Sequence, residues 1–294
     1  MKQKCSTISI IGKPNAGKST LLNYLIGQKI AIVTPKVQTT RSTITGIITE
    51  GDTQLIIIDT PGIFSPKKRL EKAMVRCAWS SISGVDHVIL LVDSITGITD
   101  DIFLILERLK EKGIKPILVF NKVDKAPVLL NGADNPAVAD LTTIYISALR
   151  GSGVNELKSH LTKHAALGPW LYAEDDMTNL SMRFLASEIT REQLFMNMQE
   201  ELPYNLTVET ESWENKPDGS AKINQVIIVS KQNYKSMILG NKGAMIKKIG
   251  MRARAEIEKD LGIKAHLFLF VKVREDWDNN PASYDYLGLT LEKE

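Results

Sequence analysis

The eight residues Gly12, Lys13, Pro14, Asn15, Ala16, Gly17, Lys18 and Ser19 constrain the fold more than any other part of the chain. They fit the spacing G-x-x-x-x-G-K-[ST]. An apolar run, TISIIG, precedes them, and a helix-like stretch over 18–26 follows. Such a loop works between a strand and a helix. Its glycines let backbone N–H groups turn inward around a phosphate, and the helix aims the positive end of its dipole at the same anion. Lys18 supplies a mobile positive charge to the outer phosphate oxygens. The Ser19 hydroxyl is suited to ligate Mg2+, and Thr20 is counted with the loop.

Short runs rich in Ile, Val and Leu recur at TQLIIID, HVILLVD, PILVFNK and IYISA. Apolar at successive positions, they read as strands buried on both faces of a mainly parallel sheet. Helix-like stretches at 68–81, 101–112 and 154–164 alternate with them. Ser152 or Asn155 is expected to start the last, and Gly113 to end the stretch before it. The pattern is α/β and doubly wound.

Three further elements sit at strand ends. Asp59, Thr60, Pro61 and Gly62 close one strand; the carboxylate can hold Mg2+ and the Gly62 N–H can meet a γ-phosphate. Asn121, Lys122, Val123 and Asp124 close another. Asp124 can accept hydrogen bonds from the ring N–H and exocyclic amine of guanine, donors that adenine lacks in that geometry. Polar pairing of this kind discriminates by about 10⁴ or more. Ser147 and Ala148 follow the last strand, where the Ala148 N–H can meet the guanine carbonyl. Thr40, in the polar loop Gln38-Thr39-Thr40-Arg41, is placed to complete the Mg2+ shell.

The length of 294 residues suits two domains, and 43% hydrophobic with 24% charged residues suits two separate cores. Two cysteines give no disulfide framework, which points to a reducing, cytoplasmic setting. No export segment is expected, because a strand-like run begins by Ile8. The apolar runs fall well short of the roughly 20 residues that span a bilayer. The net charge of +3 divides unevenly: residues 1–170 carry 21 basic and 14 acidic residues, residues 171–294 carry 16 and 20. Within the acidic half, 222–255 holds eight basic residues and no acidic one. Such exclusion favours an anionic partner over a merely solvated face.

Residues 166–180, ALGPWLYAEDDMTNL, break the strand–helix rhythm and read as a linker. A helix over 181–198, two strands joined by NKPDGS, a short helix, a longer helix to Leu261 and a last strand follow, in the order αββααβ. Gly240, Asn241, Lys242 and Gly243 join the two middle helices, with Lys235, Lys247 and Lys248 close by. The expected domains are 1–166, a linker at 167–180, and a smaller α+β domain at 181–294.

On the four nucleotide elements, residues 6–165 resemble the G-domains of translation-factor-like GTPases. The resemblance implies a Mg2+-dependent switch between GTP and GDP, with Lys18, Thr40 and Gly62 at the reacting phosphate. Ile63 stands where Ras-like enzymes place a water-orienting glutamine. Slow intrinsic turnover is then expected; the plainer alternative is that Ile63 packs beneath the loop. The αββααβ order with Gly-x-x-Gly resembles a type II KH domain, which clamps single-stranded nucleic acid. Gly240 and Gly243 would allow close approach, Asn241 and Lys242 would line the clamp, and Ile238, Met245 and Ile246 would either flank it or pack in the core.

Together with ASEITRE at 186–192, ELPY at 201–204 and LGNKG at 239–243, this combination resembles the ribosome-assembly GTPases of the TrmE-Era-EngA-like family that end in a KH domain. It implies binding to the 3′ end of small-subunit ribosomal RNA and a role in 30S assembly. It also implies a cytoplasmic protein, expected to be monomeric, with peripheral association with the inner membrane. Thr43 departs from the family, which often has a second basic residue there, and the region 125–143, with LNGADNP, looks short. Two other readings stay open: an RNA-binding nucleotide sensor with negligible hydrolysis, and a membrane-surface regulatory GTPase whose basic block meets anionic lipid. His160 and His164 read as surface histidines, and Trp213 and Trp277 as packing or stacking residues.

Overall fold

A computed structural model of the chain describes residues 2–125 and 138–290. LNGADNP and most of the region noted as short lie outside the described residues. The chain divides into two compact units, 1–31 with 40–179 and 32–39 with 180–294.

The first unit is built on a six-stranded sheet in the order β2-β3-β1-β4-β5-β6. Its elements are β1 (Lys4–Gly12), α1 (Lys18–Ile26), β2 (Ile44–Glu50), β3 (Thr53–Asp59), α2 (Arg69–Ser80), β4 (His87–Asp93), α3 (Asp100–Glu111), β5 (Ile117–Asn121), β6 (Thr143–Ile146) and α4 (Val154–Lys163). All neighbours run parallel except β2, which is antiparallel to β3 at one edge. Helices cover both faces, so the strands are apolar on both. Val88, Leu90 and Val92 of β4 pack with Trp79 of α2 and with Ile102 and Leu109 of α3. The alternate residues Ile89 and Leu91 are equally buried on the opposite face. There α1 contacts β1, β2 and β3, and α4 contacts β3 and β6.

The edge strand β2 was not among the expected strands. Its sequence ITGIITE is half-exposed and carries an internal glycine, which weakens a strand signal. Gly46 is there because α1 lies against it: a Cβ would sit 2.6 Å from Ile26 Cδ1. Gly153, rather than Ser152 or Asn155, caps α4, with φ 72° and no room for a Cβ beside the Tyr145 carbonyl. Gly113 follows α3 as expected, with φ 68°.

The stretch expected as a linker is held firmly within the first unit. The buried Gln54 carboxamide accepts from the N–H groups of Leu171 (2.9 Å) and Tyr172 (3.1 Å) and donates to Tyr172 O (3.0 Å). The Met177 carbonyl accepts from Ile47 N, and the Thr178 hydroxyl donates to Thr45 O.

The second unit carries a three-stranded sheet, β7-β8-β9, covered on one face by helices. Its elements are α5 (Met182–Asn197), β7 (Leu206–Asn215), β8 (Ala221–Val229), α6 (Gln232–Leu239), α7 (Ala244–Leu261), β9 (Ala265–Val273) and α8 (Pro281–Tyr286). β7 and β8 form the antiparallel hairpin, and β9 runs parallel to β8. Ser181 caps α5 through a bond from Phe184 N. Leu194, Val208, Ile227, Ile238, Ile249 and Val271 form the main core. The short α8, not expected from sequence, starts at Pro281 with Asn280 accepting from Ala282 N. Trp277 and Tyr284 are fully buried, so Trp277 packs. Trp213 packs against a second cluster and donates to Asn215 Oδ1. Among the described residues no helix is long and apolar enough to cross a membrane.

Replacing Gln54 by Ala removes a buried carboxamide that accepts from the part-buried N–H groups of residues 171 and 172. The expected loss of unfolding free energy is about 2–3 kcal/mol, read by urea denaturation. An unchanged midpoint would show that the 167–179 stretch is held by other contacts.

Candidate functional site

The loop between β1 and α1 takes its shape from backbone conformations that few residues tolerate. Gly17 has φ 98° and Asn15 φ 61°. A Cβ on Gly12 would lie 2.4 Å from the Leu91 carbonyl oxygen, and one on Gly17 would lie 2.2 Å from Asn121 Nδ2. The second approach is functional architecture. Asn121 Nδ2 donates to Ala16 O (2.8 Å), while Asn121 Oδ1 accepts from Ala148 N (2.9 Å). One buried carboxamide thus ties together the phosphate loop, the end of β5 and the loop after β6.

Lys18 is buried, and its Nζ donates to the carbonyls of Gly12 (3.2 Å) and Lys13 (3.0 Å). Burial lowers its pKa to about 8, against the opposing pull of Asp59. Beside it, Asp59 Oδ2 accepts from Ser19 Oγ (2.6 Å) and Thr40 Oγ1 (3.3 Å), and the two hydroxyls lie 2.8 Å apart. Asp59 Oδ1 is buried with no hydrogen-bond partner. Desolvation raises the Asp59 pKa, opposed by Lys18, the two hydroxyls and Thr60 N–H. Hard oxygen donors converging on an under-satisfied carboxylate fit Mg2+. Ser19, Thr40 and Asp59 could hold it.

Gly62 packs against Pro14, where a Cβ would lie 2.7 Å from Pro14 Cγ. Thr60 donates its hydroxyl to Ile10 O, between Asp59 and Pro61. Ile63 donates its N–H to Gly12 O (3.0 Å), and its side chain is buried beside Ile11 and Trp79. Of the two readings of Ile63, packing beneath the loop is the observed one. Asp124 is exposed, and its Oδ1 accepts from Ser147 Oγ (2.6 Å), which lowers its pKa and keeps it ionised. Lys122, at φ 72°, pairs with Asp93 at 2.6 Å. Lys13 differs from its neighbours. Its ammonium pairs with Asp101 on α3, so only its backbone serves the loop. Asp93 and Asp101 were missed from sequence. Asp93 carried a signal, since it ends β4 in register with Asn121.

The second loop is equally shaped by φ. Gly240 has φ 68°, and a Cβ there would lie 2.7 Å from Met245 Cβ. Lys242 is left-handed at φ 49° and exposed. At Gly243, φ 78°, a Cβ would meet nothing within 4 Å, so the surface beside it is open. Asn241, Lys247 and Lys248 are exposed and Lys235 half-buried. No acidic residue lies in the first turn of α7, whose N-terminus opens on this loop. Ile238 is fully buried in the core, and Met245 and Ile246 are half-buried against the same cluster. Ile238 is therefore not part of an apolar surface; Met237 and Met251 are exposed instead. The His160 and His164 rings lie tilted by 38° with centroids 4.3 Å apart, and the described residues contain no metal-binding cluster of three or more His, Cys, Asp or Glu.

Comparison with known proteins gives consistent matches. The family described as 50S ribosome-binding GTPase matches residues 7–122, and the KH domain family matches residues 201–278. GTPase Era of Rickettsia conorii is 54% identical over 98% of this chain and 86% of its own. GTPase Era of Brucella suis biovar 1 is 48% identical over 96% and 92%. A crystal structure of an Aquifex aeolicus Era variant bound to GDP and AlF4− superposes with a TM-score of 0.90 at 35% identity, covering 97% of this chain and 99% of that one. Era in complex with MgGDPNP and nucleotides 1506–1542 of 16S ribosomal RNA superposes at 0.89, with the same identity and coverage.

The exposed, ionised Asp124 carboxylate allows the expected contact with guanine to be tested. Asp124→Asn should weaken GTP and admit xanthosine triphosphate, because an amide can donate to the carbonyl that replaces guanine's amine. Competition binding with both nucleotides checks it. Unchanged preference for GTP would remove Asp124 from base recognition.

Proposed function

The chain belongs to the GTPase Era family, and from that premise we propose that it binds and hydrolyses GTP as a switch while its second unit binds the 3′ end of 16S ribosomal RNA in 30S subunit assembly. The observation that carries the nucleotide half is the convergence of Ser19, Thr40 and the orphaned Asp59 carboxylate beside buried Lys18. Lys18, now paired with two carbonyls, exchanges them for β and γ oxygens and offsets the charge that develops there. Ser19, Thr40 and Asp59 would hold Mg2+, whose charge would offset that of the phosphate oxygens. The loop from Gly12 to Thr20 wraps the phosphates with its backbone N–H groups, all but that of Pro14, which has none. Gly62 offers its N–H to the γ-phosphate, and Thr40 joins the metal shell in the triphosphate state. Asn121 holds the guanine-facing loops in register, Asp124 reads the base, and Ala148 N–H meets its carbonyl.

Ile63 is packed away and cannot orient water as the glutamine of Ras-like enzymes does. The chemistry then rests on charge around the phosphates, on another residue or on a partner, and intrinsic turnover is slow. The sensor reading differs only in this rate. The KH half is supported by the left-handed Gly240–Gly243 loop, the exposed lysines around it and the RNA-bound relative. Cytoplasmic residence as a monomer with peripheral contact at the inner membrane rests on the family resemblance alone.

Lys18→Ala should abolish single-turnover GTP hydrolysis, and residual activity near the parent's would refute the role given to its charge. Gly243→Asp should cut RNA affinity on the order of 10²-fold through like-charge repulsion and lost approach. Lys242→Ala should lower the salt slope by about one or less. GDP affinity should stay at the parent's value in both loop variants. Normal RNA binding by folded Gly243→Asp, titrated with labelled single-stranded RNA, would remove the clamp.

A further inference from the structure

Within the first unit, the turn that carries Asp124 begins at Lys122. The Lys125 N–H donates to the Lys122 carbonyl (3.0 Å), which closes residues 122–125, and the Val123 N–H donates to Ile146 O (3.3 Å). Asp124 is the third residue of this turn, so the direction of its carboxylate follows from the conformation of the first. Lys122 is left-handed, at φ 72°. Residues with a side chain seldom adopt that conformation, and it persists where the surroundings impose it.

The end of β4 supplies those surroundings. Asp93 Oδ2 accepts from the Lys122 ammonium at 2.6 Å, and Asp93 Oδ1 accepts from the Ile95 N–H (3.0 Å). The Asp93 carbonyl accepts from Gly97 N (2.9 Å), so the carboxylate sits at the start of a closed turn. The Ser94 N–H donates to the Asn121 carbonyl (2.8 Å) and ties that turn to the residue before Lys122. The Lys122 and Asp93 side chains are only 23% and 21% exposed, so salt screens their pair less than a surface pair, and its hydrogen bond is charge-assisted. Because its other oxygen is anchored on Ile95, the carboxylate offers the ammonium a fixed partner.

On the far side of the turn, Ser147 Oγ donates to Asp124 (2.6 Å) and accepts from Arg150 N (3.1 Å). The turn is therefore braced from two directions, by the end of β4 and by the loop after β6. We propose that Asp93 is a positioning residue for guanine recognition: by fixing the Lys122 ammonium it holds the left-handed start of the turn and so aims Asp124 at the base. Asp93 acts through Lys122 and need not touch the nucleotide. The inference rests on the base-reading role given to Asp124.

The test is made on the full chain with GDP and with inosine diphosphate, which lacks only the exocyclic amine that Asp124 is expected to read. The parent should bind GDP about tenfold or more tighter than inosine diphosphate, and Asp124→Ala should lose that preference. Asp93→Asn keeps an oxygen for the Ile95 N–H and removes the charge that holds Lys122; Asp93→Ala removes both. In each, GDP affinity should fall by about tenfold, the loss expected from one charge-assisted hydrogen bond. Inosine diphosphate should lose less, because it has one fewer contact with Asp124, and the ratio between the two nucleotides should narrow. A merely structural role would lower both affinities equally. In a Lys122→Gly background the left-handed backbone carries no strain and the ammonium is gone, so adding Asp93→Asn should change GDP affinity by less than about twofold. A parental ratio in Asp93→Asn while Asp124→Ala has lost it would overturn the proposal. So would equal losses of both nucleotides, or an undiminished effect of Asp93→Asn in the Lys122→Gly background. A parental ratio in Asp124→Ala would overturn the reading on which it rests.

Discussion

A carboxylate buried at the end of a parallel strand organises the nucleotide site. Asp59 lies beyond the reach of water, accepts two hydroxyls on one oxygen and leaves the other without a partner. Buried charge of this kind is costly unless a cation or donors complete it. The parallel pairing of β1 with β3 sets Asp59 beside Ile10, two residues before Gly12. The phosphate loop and Asp59 are therefore positioned by the same pair of strands, and on the proposed reading the completing charge is the metal that comes with the nucleotide.

Around that centre the fold uses backbone and carboxamide contacts rather than long side chains. Asn121 links three loops with two hydrogen bonds, and the left-handed residues Asn15, Gly17 and Lys122 allow the chain to turn between them. The second unit repeats the strategy on different scaffolding. Gly240, Lys242 and Gly243 all adopt positive φ, and the turn they make leaves open surface flanked by lysines. On the proposed reading, a compact triphosphate and an extended polymer present different shapes of the same charge, and two differently built loops answer to them.

What was legible in the sequence was what local geometry dictates. The glycines of the first loop, the strand-end positions of Asp59 and Asn121, and the bounds of α1 and α7 follow from spacing and φ requirements within a few residues. What was hidden depends on distant packing. β2 is half-exposed with Gly46 inside it, so its pattern was weak. The stretch 167–179 reads as a linker until Gln54, over a hundred residues away, is seen holding it. Ile238 sits beside the second loop in sequence but points into the core, because α6 packs on β8 and β9. Lys13 sits in the loop motif, yet Asp101 draws its charge outward. No local pattern marks residues 32–39 as partners of α5.

The central claim is that Ser19, Asp59 and Thr40 form one metal cradle, which Thr40 joins only with a triphosphate. Electron paramagnetic resonance of Mn2+, substituted for Mg2+, tests it directly on the parent, Ser19→Ala and Thr40→Ala proteins with GDP and with GDPNP. The account predicts that Ser19→Ala weakens Mn2+ binding with both nucleotides, whereas Thr40→Ala weakens it with GDPNP and leaves the GDP state unchanged. Mn2+ binding unaffected by Thr40→Ala in the presence of GDPNP would contradict it.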